Sequence, residues 1–186
     1  MIKLIAFCGN KCHGKTTAAK YVSGKFGHER ISFASELKNI SAALFGLNHE
    51  QLYGSEKETP DPNNFGLTPR TILQRLGTDV FRDSFSSHFP EHGSPWIFST
   101  RRHIENNPCK CFVIDDCRFQ DELEMVKSMG GVVIRISSSI RKPDSQTDSH
   151  ASEQTDGLEC DFTITNNHTL DDLYAKLDML CRTRVL

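Results

Sequence analysis

The chain has 186 residues, of which 37% are hydrophobic and 25% are charged. This length suffices for one domain with a substantial core, and the composition excludes intrinsic disorder. No apolar run reaches the roughly 18 residues that a membrane span needs. The 22 basic and 24 acidic residues give a formal net charge of −2, which argues against nucleic acid or an anionic membrane as a partner.

The seven cysteines show no even framework of spacings and no complete set of zinc ligands. Such usage is typical of free thiols in a reducing compartment. The chain starts with an apolar run and has no basic segment followed by a cleavage site. We therefore expect a cytoplasmic protein.

Apolar runs and helical periodicities alternate in the first part of the chain. Residues 2–8 form a continuous apolar run, which predicts a strand buried on both faces. A glycine turn and a helix over 15–25 follow, and residues 30–34 predict a second strand. Apolar residues from Glu36 onward have helical spacing, and the polar residues 54–69 predict a loop.

The next helix is marked by Ile72, Leu73, Leu76, Val80, Phe81 and Phe85, which the α-helical period would place on one face. We favour another helix over 96–106. The remaining predictions are strands at 111–114, 132–136 and 162–164, helices at 119–129 and from Leu170, and a long polar loop over 137–157. Alternating strands and helices predict an α/β fold with a mainly parallel sheet.

The strongest motif is the sequence GNKCHGKT at residues 9–16, which matches GxxxxGK[ST] between a strand and a helix. In this motif successive backbone N–H groups surround a phosphate, the lysine reaches the β- and γ-phosphates, and the hydroxyl can bind Mg²⁺. The predicted nucleotide-binding residues are Gly9, Asn10, Lys11, Cys12, His13, Gly14, Lys15, Thr16 and Thr17. The predicted metal ligand in this loop is Thr16.

Other features restrict the reaction. The sequence contains neither NKxD nor DxxG, so a GTPase is excluded, and the chain is too short for an AAA-type motor. What remains is a small kinase that moves a γ-phosphoryl group to a small acceptor. Such an enzyme needs positive charge between two anions, for which the candidates are Arg70, Arg82, Arg118 and Arg141.

Several further segments resemble the deoxynucleoside monophosphate kinases of phages and large DNA viruses. They are FASELK (33–38), RTILQRLGTD (70–79) with Arg82, DCRF (116–119) with Glu122, HASE (150–153) and DFTITNN (161–167). The matches follow one another in order over nearly the whole chain. The block at 70–82 is more specific than the phosphate loop, which many kinases share.

The resemblance implies a P-loop kinase fold in a single domain over residues 1–186. Its core would comprise 1–34 and 109–186, with an acceptor-binding helical region at about 35–108 and a lid loop at about 137–157. The implied reaction is transfer from ATP and Mg²⁺ to a deoxynucleoside 5′-monophosphate. Related phage enzymes favour a homodimer.

The resemblance also implies roles for individual residues. The acceptor pocket would be lined by Lys38, Arg70, Gln74, Thr78 and Arg82. Lys15, Arg118 and Asp116 would be catalytic, with Asp116 either orienting magnesium-bound water or holding Arg118. Arg141 would close over ATP from the lid.

Each role has a structural alternative. Lys38, Arg70, Gln74 and Arg82 could lie on solvated helix faces, and Thr78 could satisfy a nearby backbone group. Arg118 could pair with Asp116 or Glu122. Rival functions are phosphomevalonate kinase of the animal type, dephospho-coenzyme A kinase, and a regulatory module that binds ATP without transferring phosphate.

Overall fold

The computed structural model describes residues 3–90, 93–140, 155 and 157–183. Within these residues, five strands form one parallel sheet in the order β2-β3-β1-β4-β5. The strands are β1 (Leu4–Cys8), β2 (Glu29–Ile31), β3 (Phe112–Ile114), β4 (Val132–Ser137) and β5 (Phe162–Thr165). All of the central strand β1 is buried, as expected for a continuous apolar run in a parallel sheet.

Helices follow the strands in the predicted alternation. They are α1 (Lys15–Phe26), α2 (Ser35–Phe45), α3 (His49–Tyr53), α4 (Pro69–Gln74), α5 (Phe85–His88), α6 (Pro95–Glu105), α7 (Gln120–Ser128) and α8 (Leu170–Thr183). A π-helical segment, Arg75–Ser84, joins α4 to α5, and two short 3₁₀ helices, Ser55–Glu58 and Pro62–Asn64, lie in the predicted loop. The expected α/β class with a parallel sheet is confirmed.

Apolar residues of the sheet and of α1 and α8 form the main core. Phe7 and Val22 are fully buried in it, as are Leu173 and Leu177 of α8. Leu170, the first residue of α8, is by contrast 52% exposed. None of the helices in the described ranges combines the length and the apolar character required to cross a membrane.

The chain divides into two compact units. Residues 1–32 and 101–186 form the first unit, which contains the sheet. Residues 33–100 form the second, which has a small apolar core of Leu47, Leu52 and Ile72.

The helix around residue 80 differs from the prediction in one respect. Val80, expected on the apolar face, is 51% exposed. The reason is the π-helical geometry of residues 75–84, whose i→i+5 hydrogen bonds place more residues in each turn than an α-helix does. The buried positions of this segment are instead Gly77, Thr78 and Arg82.

Candidate functional site

The glycine turn after β1 has the backbone geometry of an anion-binding loop. Gly9 and Gly14 have φ angles of 125° and 106°, and Cys12 has a φ of 65°. Such a mixture of left- and right-handed residues turns successive N–H groups toward the inside of the loop. Because α1 begins at Lys15, the loop also lies at the positive end of that helix dipole. Residues 9–16 therefore combine a backbone conformation and a helix dipole that would favour a bound anion.

Lys15 places its positive charge at this loop. Its ammonium group donates hydrogen bonds to the carbonyl oxygens of Gly9 (2.7 Å) and Asn10 (2.8 Å). Two backbone contacts from one flexible side chain fix the ammonium close to the N–H groups that would hold a phosphate. This is the position from which a lysine can neutralise a bound polyphosphate.

The start of the loop is packed tightly against β4, a strand that pairs with β1 in the sheet. A Cβ atom added at Gly9 would lie 2.2 Å from the carbonyl oxygen of Ile136, a distance that real Cβ atoms do not adopt. The positive φ of this residue disfavours a side chain independently. Gly9 is thus required both by its conformation and by the close approach of β4.

Two side chains from distant parts of the chain hold the loop in place. Asn166, which follows β5 and is 2% exposed, donates from Nδ2 to the carbonyl oxygen of His13 at 2.8 Å. Thr155 donates from its hydroxyl to Oδ1 of Asn10 at 2.7 Å. The sequence analysis did not identify these roles. The Asn-Asn turn at 166–167 was visible as part of the family resemblance, whereas Thr155 lies in a polar segment with no distinguishing pattern.

The acids after β3 have different partners. Asp115 forms an ion pair with Arg30 at 3.0 Å. Asp116 accepts a hydrogen bond from the hydroxyl of Ser32 at 2.6 Å. Ser32 had been predicted to lie in the second strand, but β2 ends at Ile31, and its hydroxyl orients the Asp116 carboxylate instead.

Arg118 is positioned through its backbone. The buried carboxylate of Glu122 accepts hydrogen bonds from the backbone N–H groups of Arg118 (2.8 Å) and Phe119 (3.2 Å). Glu122 thereby satisfies N–H groups at the start of α7. Arg118 and Asp116 both follow β3, so they lie at the carboxyl edge of the sheet. The phosphate loop, which follows β1, lies at the same edge.

In the second unit, two of the predicted acceptor residues have partners. The Lys38 ammonium lies 4.1 Å from the centre of the Tyr53 ring, which is a cation–π contact. Arg70 forms an ion pair with Glu58, and the Arg70 side chain is 18% exposed. Neither side chain is therefore simply solvated, although Arg70 would have to change partner to bind a phosphate.

The other three predicted acceptor residues follow one another at intervals of four along α4 and the π-helical segment. Thr78 and Arg82 are 8% and 9% exposed, so the alternative of a solvated surface arginine is wrong for Arg82. Nε2 of Gln74 is buried and makes no hydrogen bond within the described part of the chain. A buried amide donor without a partner is costly unless a ligand supplies one.

Trp96 supports the π-helical segment. Its indole N–H donates to the carbonyl oxygen of Gly77 at 2.8 Å, and its ring packs against Phe81. A Cβ atom added at Gly77 would lie 2.6 Å from Cδ2 of Leu37 on α2. These contacts locate the segment that carries Thr78 and Arg82, and the sequence analysis did not foresee them.

Arg141 lies outside the described residues, as do His150 and Glu153. Among the residues that are described, no group of three or more His, Cys, Asp or Glu could hold a metal ion. The oxygen donors Thr16 and Asp116 match what Mg²⁺ prefers, and Mg²⁺ commonly takes only one or two protein ligands together with waters and substrate phosphates. The Thr16 side chain is exposed in the first turn of α1.

Sequence comparison agrees with the resemblance. Residues 47–177 match the family model for deoxynucleotide monophosphate kinase. A mimivirus protein from Acanthamoeba polyphaga mimivirus, provisionally named as such a kinase, is 38% identical over 94% of this chain and 93% of its own length. The deoxynucleotide monophosphate kinase of Escherichia phage RB69 is 29% identical over 70% of this chain. The matched region spans only 51% of that phage protein.

Comparison of structures concerns the fold alone. Shikimate kinase from Aquifex aeolicus superposes with a TM-score of 0.57 at 14% identity, covering 98% of both chains. Shikimate kinase from Acinetobacter baumannii superposes equally well at 16% identity, covering 100% of this chain and 96% of that one. The architecture is therefore that of the P-loop kinases.

Proposed function

The chain belongs to the deoxynucleotide monophosphate kinase family, and from this premise we propose that it phosphorylates deoxynucleoside 5′-monophosphates to diphosphates. ATP is the donor, Mg²⁺ is the metal, and the γ-phosphoryl group passes directly to the acceptor by in-line displacement. The observation that carries the proposal is the phosphate loop, with its positive-φ residues and the Lys15 ammonium held at 2.7 and 2.8 Å from its carbonyls.

The first unit binds ATP in this proposal. Residues 9–17 surround the phosphates, with backbone N–H groups and the α1 dipole favouring negative charge. Lys15 moves from the loop carbonyls to the β- and γ-phosphates. Thr16 and Asp116 would supply oxygen ligands to Mg²⁺, directly or through water, and a bound ion would offset negative charge on the phosphates.

Residues after β3 assist transfer. Ser32 holds the Asp116 carboxylate at 2.6 Å. Arg118, whose backbone is fixed by Glu122, supplies positive charge to the migrating phosphoryl group. The acceptor is already an anionic phosphate oxygen, so the reaction needs alignment and charge neutralisation rather than a strong base. Arg141 is proposed to close over ATP as part of a lid at 137–157.

The second unit binds the acceptor. Lys38, Arg70 and Arg82 bind its phosphate, since a guanidinium fork can contact two oxygens at once. Gln74 pairs with the base, and its buried Nε2 supports this role because it makes no hydrogen bond within the described residues. Thr78 lies one helical turn further on and contacts the same nucleotide.

ADP release with ATP and Mg²⁺ across a panel of acceptors tests the proposal. The panel contains the four common deoxynucleoside monophosphates, the ribonucleotides, phosphomevalonate and dephospho-coenzyme A. Turnover on one or more deoxynucleotides supports the proposal and identifies the base preference. Turnover only on phosphomevalonate or dephospho-coenzyme A overturns the acceptor assignment, and ATP binding without any turnover favours a regulatory module.

Further properties belong to the same proposal. We propose a cytoplasmic enzyme whose partners are its small-molecule substrates, with no role for nucleic acid. We propose a homodimer as its assembly state, which sedimentation or light scattering on the purified protein would measure.

A further inference from the structure

Two cysteines of the first unit lie in direct contact beneath the phosphate loop. The Sγ atoms of Cys8 and Cys160 are 2.9 Å apart, although 152 positions separate the two residues in the chain. Cys8 is the last residue of β1 and immediately precedes Gly9 of the loop. Cys160 lies just before β5, and both thiols are reduced in this structure.

From this geometry we propose that Cys8 and Cys160 form a reversible disulfide, a modification site separate from phosphoryl transfer. A disulfide has an S–S distance of about 2.05 Å, so the sulfur atoms need to approach by less than an ångström. Cys8 belongs to a buried central strand, so we assign the remaining approach to Cys160, which lies outside the strands.

Arg135 fixes the segment that carries Cys160. It is the register partner of Cys8 in the β1–β4 pairing. Its guanidinium donates to the carbonyl oxygens of Thr155 (2.8 Å) and Leu158 (2.6 Å). The guanidinium thus holds Cys160 near Cys8 and adds positive charge beside the two sulfur atoms.

The two thiols differ in the way that disulfide formation requires. A hydrogen bond joins the two thiols, and when Cys160 is ionised only Cys8 can donate it. This contact, with help from Arg135 and Lys127, lowers the pKa of Cys160 to about 7. The pKa of Cys8 is raised, chiefly by the same hydrogen bond and then by burial. Cys160 is partly exposed whereas Cys8 is fully buried, so Cys160 is the thiol that meets an oxidant.

A peroxide can serve as the oxidant. The Cys160 thiolate attacks one peroxide oxygen, the O–O bond breaks, and the departing hydroxide takes a proton to become water. Cys160 is then a sulfenic acid and no longer carries the negative charge. The Cys8 sulfur attacks Cys160 Sγ, the S–O bond breaks, and the hydroxide leaves with the Cys8 proton as water. Two thiols lose two electrons in total, and one hydrogen peroxide becomes two waters.

Cys117 is a third cysteine of the first unit that could compete to form a disulfide with either partner. Burial is the largest cause that raises its pKa, and the charges of Glu122 and Asp116 raise the pKa further. It is also fully buried. Cys117 therefore stays protonated and shielded, and we do not expect it to replace either partner.

The experiment treats the 186-residue chain with a small excess of hydrogen peroxide at pH 7, then blocks free thiols and maps peptides without reduction. The expected result is a cross-linked pair of peptides that contain Cys8 and Cys160, with a loss of two hydrogens from the intact mass that dithiothreitol reverses. Cys160→Ser should abolish the cross-link. Cys109→Ser, which changes an exposed cysteine of the same unit, should leave its yield unchanged.

Other outcomes overturn the proposal. These are a cross-link through Cys117, oxidation of Cys160 to sulfinic acid with Cys8 still free, or an undiminished intramolecular disulfide in Cys160→Ser. Because Cys8 is a core residue, Cys8→Ala is used only after circular dichroism shows a folded protein. In folded Cys8→Ala, whose Cys160 loses the largest cause of its lowered pKa, peroxide at a pH near 9 should leave Cys160 as a sulfenic acid that dimedone traps.

Discussion

Individual residues carry the charge chemistry of this protein, and Lys15 is the clearest case. Its ammonium donates hydrogen bonds to two carbonyl oxygens of the phosphate loop. Moving it to a phosphate exchanges two neutral acceptors for a charged one, which strengthens the hydrogen bonds. The lysine side chain itself is not part of the apolar core, so we expect it to matter more for nucleotide contact than for folding.

Lys15→Ala should therefore lower kcat about 100-fold or more while leaving the thermal unfolding midpoint nearly unchanged. Steady-state ADP release and circular dichroism measure the two quantities. Lys20→Ala removes an exposed lysine from the same helix and should retain full activity. Equal turnover in Lys15→Ala and Lys20→Ala would contradict the role assigned to the loop.

At Cys160 the pKa of about 7 predicts a pH profile. Only the thiolate reacts with iodoacetamide, so the rate of alkylation of Cys160 should rise with pH and reach half its plateau near pH 7. Removing the Cys8 donor in Cys8→Ala removes the largest cause of the lowered pKa, and the midpoint should move upward, toward 9. Mass spectrometry of peptides from quenched reactions follows this one site, and an unshifted midpoint in Cys8→Ala would count against the thiol–thiol contact.

Structural elements explain why some residues are tied to their positions. Gly9 has no side chain, so β4 can occupy the space that a Cβ atom would fill at the start of the phosphate loop. Asn166, which follows the edge strand β5, holds the phosphate loop by donating a hydrogen bond to the His13 carbonyl. Loop geometry is thus a property of β1, β4 and β5 together.

Alanine substitutions at two glycines, one in the phosphate loop and one in α1, should change the stability of the protein in opposite directions. Gly9→Ala places a Cβ atom 2.2 Å from a carbonyl oxygen at a φ of 125°, so we expect a loss of stability and of ATP binding. Gly24→Ala, at an exposed position in the last turn of α1, meets nothing within 4 Å. It should stabilise the helix by up to about 1 kcal/mol, since alanine restricts the unfolded chain more than glycine does. Differential scanning calorimetry of both variants tests the difference in sign.

The π-helical segment provides another test at this scale. Trp96→Phe retains a ring that can pack against Phe81 but deletes the N–H that bonds the Gly77 carbonyl. The unpaired buried carbonyl should cost about 1–3 kcal/mol. Urea denaturation followed by circular dichroism measures this loss, and a variant as stable as the parent protein would show that the carbonyl finds another partner.

For the whole molecule, the sequence analysis predicted the order of strands and helices, because a buried parallel sheet demands apolar runs that periodicity detects. The glycine turn between β1 and α1 was also predictable, because its glycines are required locally, whereas its role in binding phosphate stays a prediction. The sequence did not predict the π-helical segment at residues 75–84, because no apolar periodicity marks such a segment. The Gly77 carbonyl within it is satisfied by Trp96, 19 positions later in the chain. Ser32, Thr155 and Asn166 escaped for a related reason: their roles depend on partners that only the folded chain brings near.

The central place of β1 in the sheet has a consequence for how the protein is made. In register, Leu4 pairs with Phe112 and Ile5 pairs with Val132. A ribosome therefore releases β1 long before either neighbouring strand exists, and all of the second unit, residues 33–100, emerges in between. We expect that unit to become protease-resistant first in chains arrested during translation. The apolar strand β1 must meanwhile stay unpaired, which makes it the natural binding segment for a chaperone on the nascent chain.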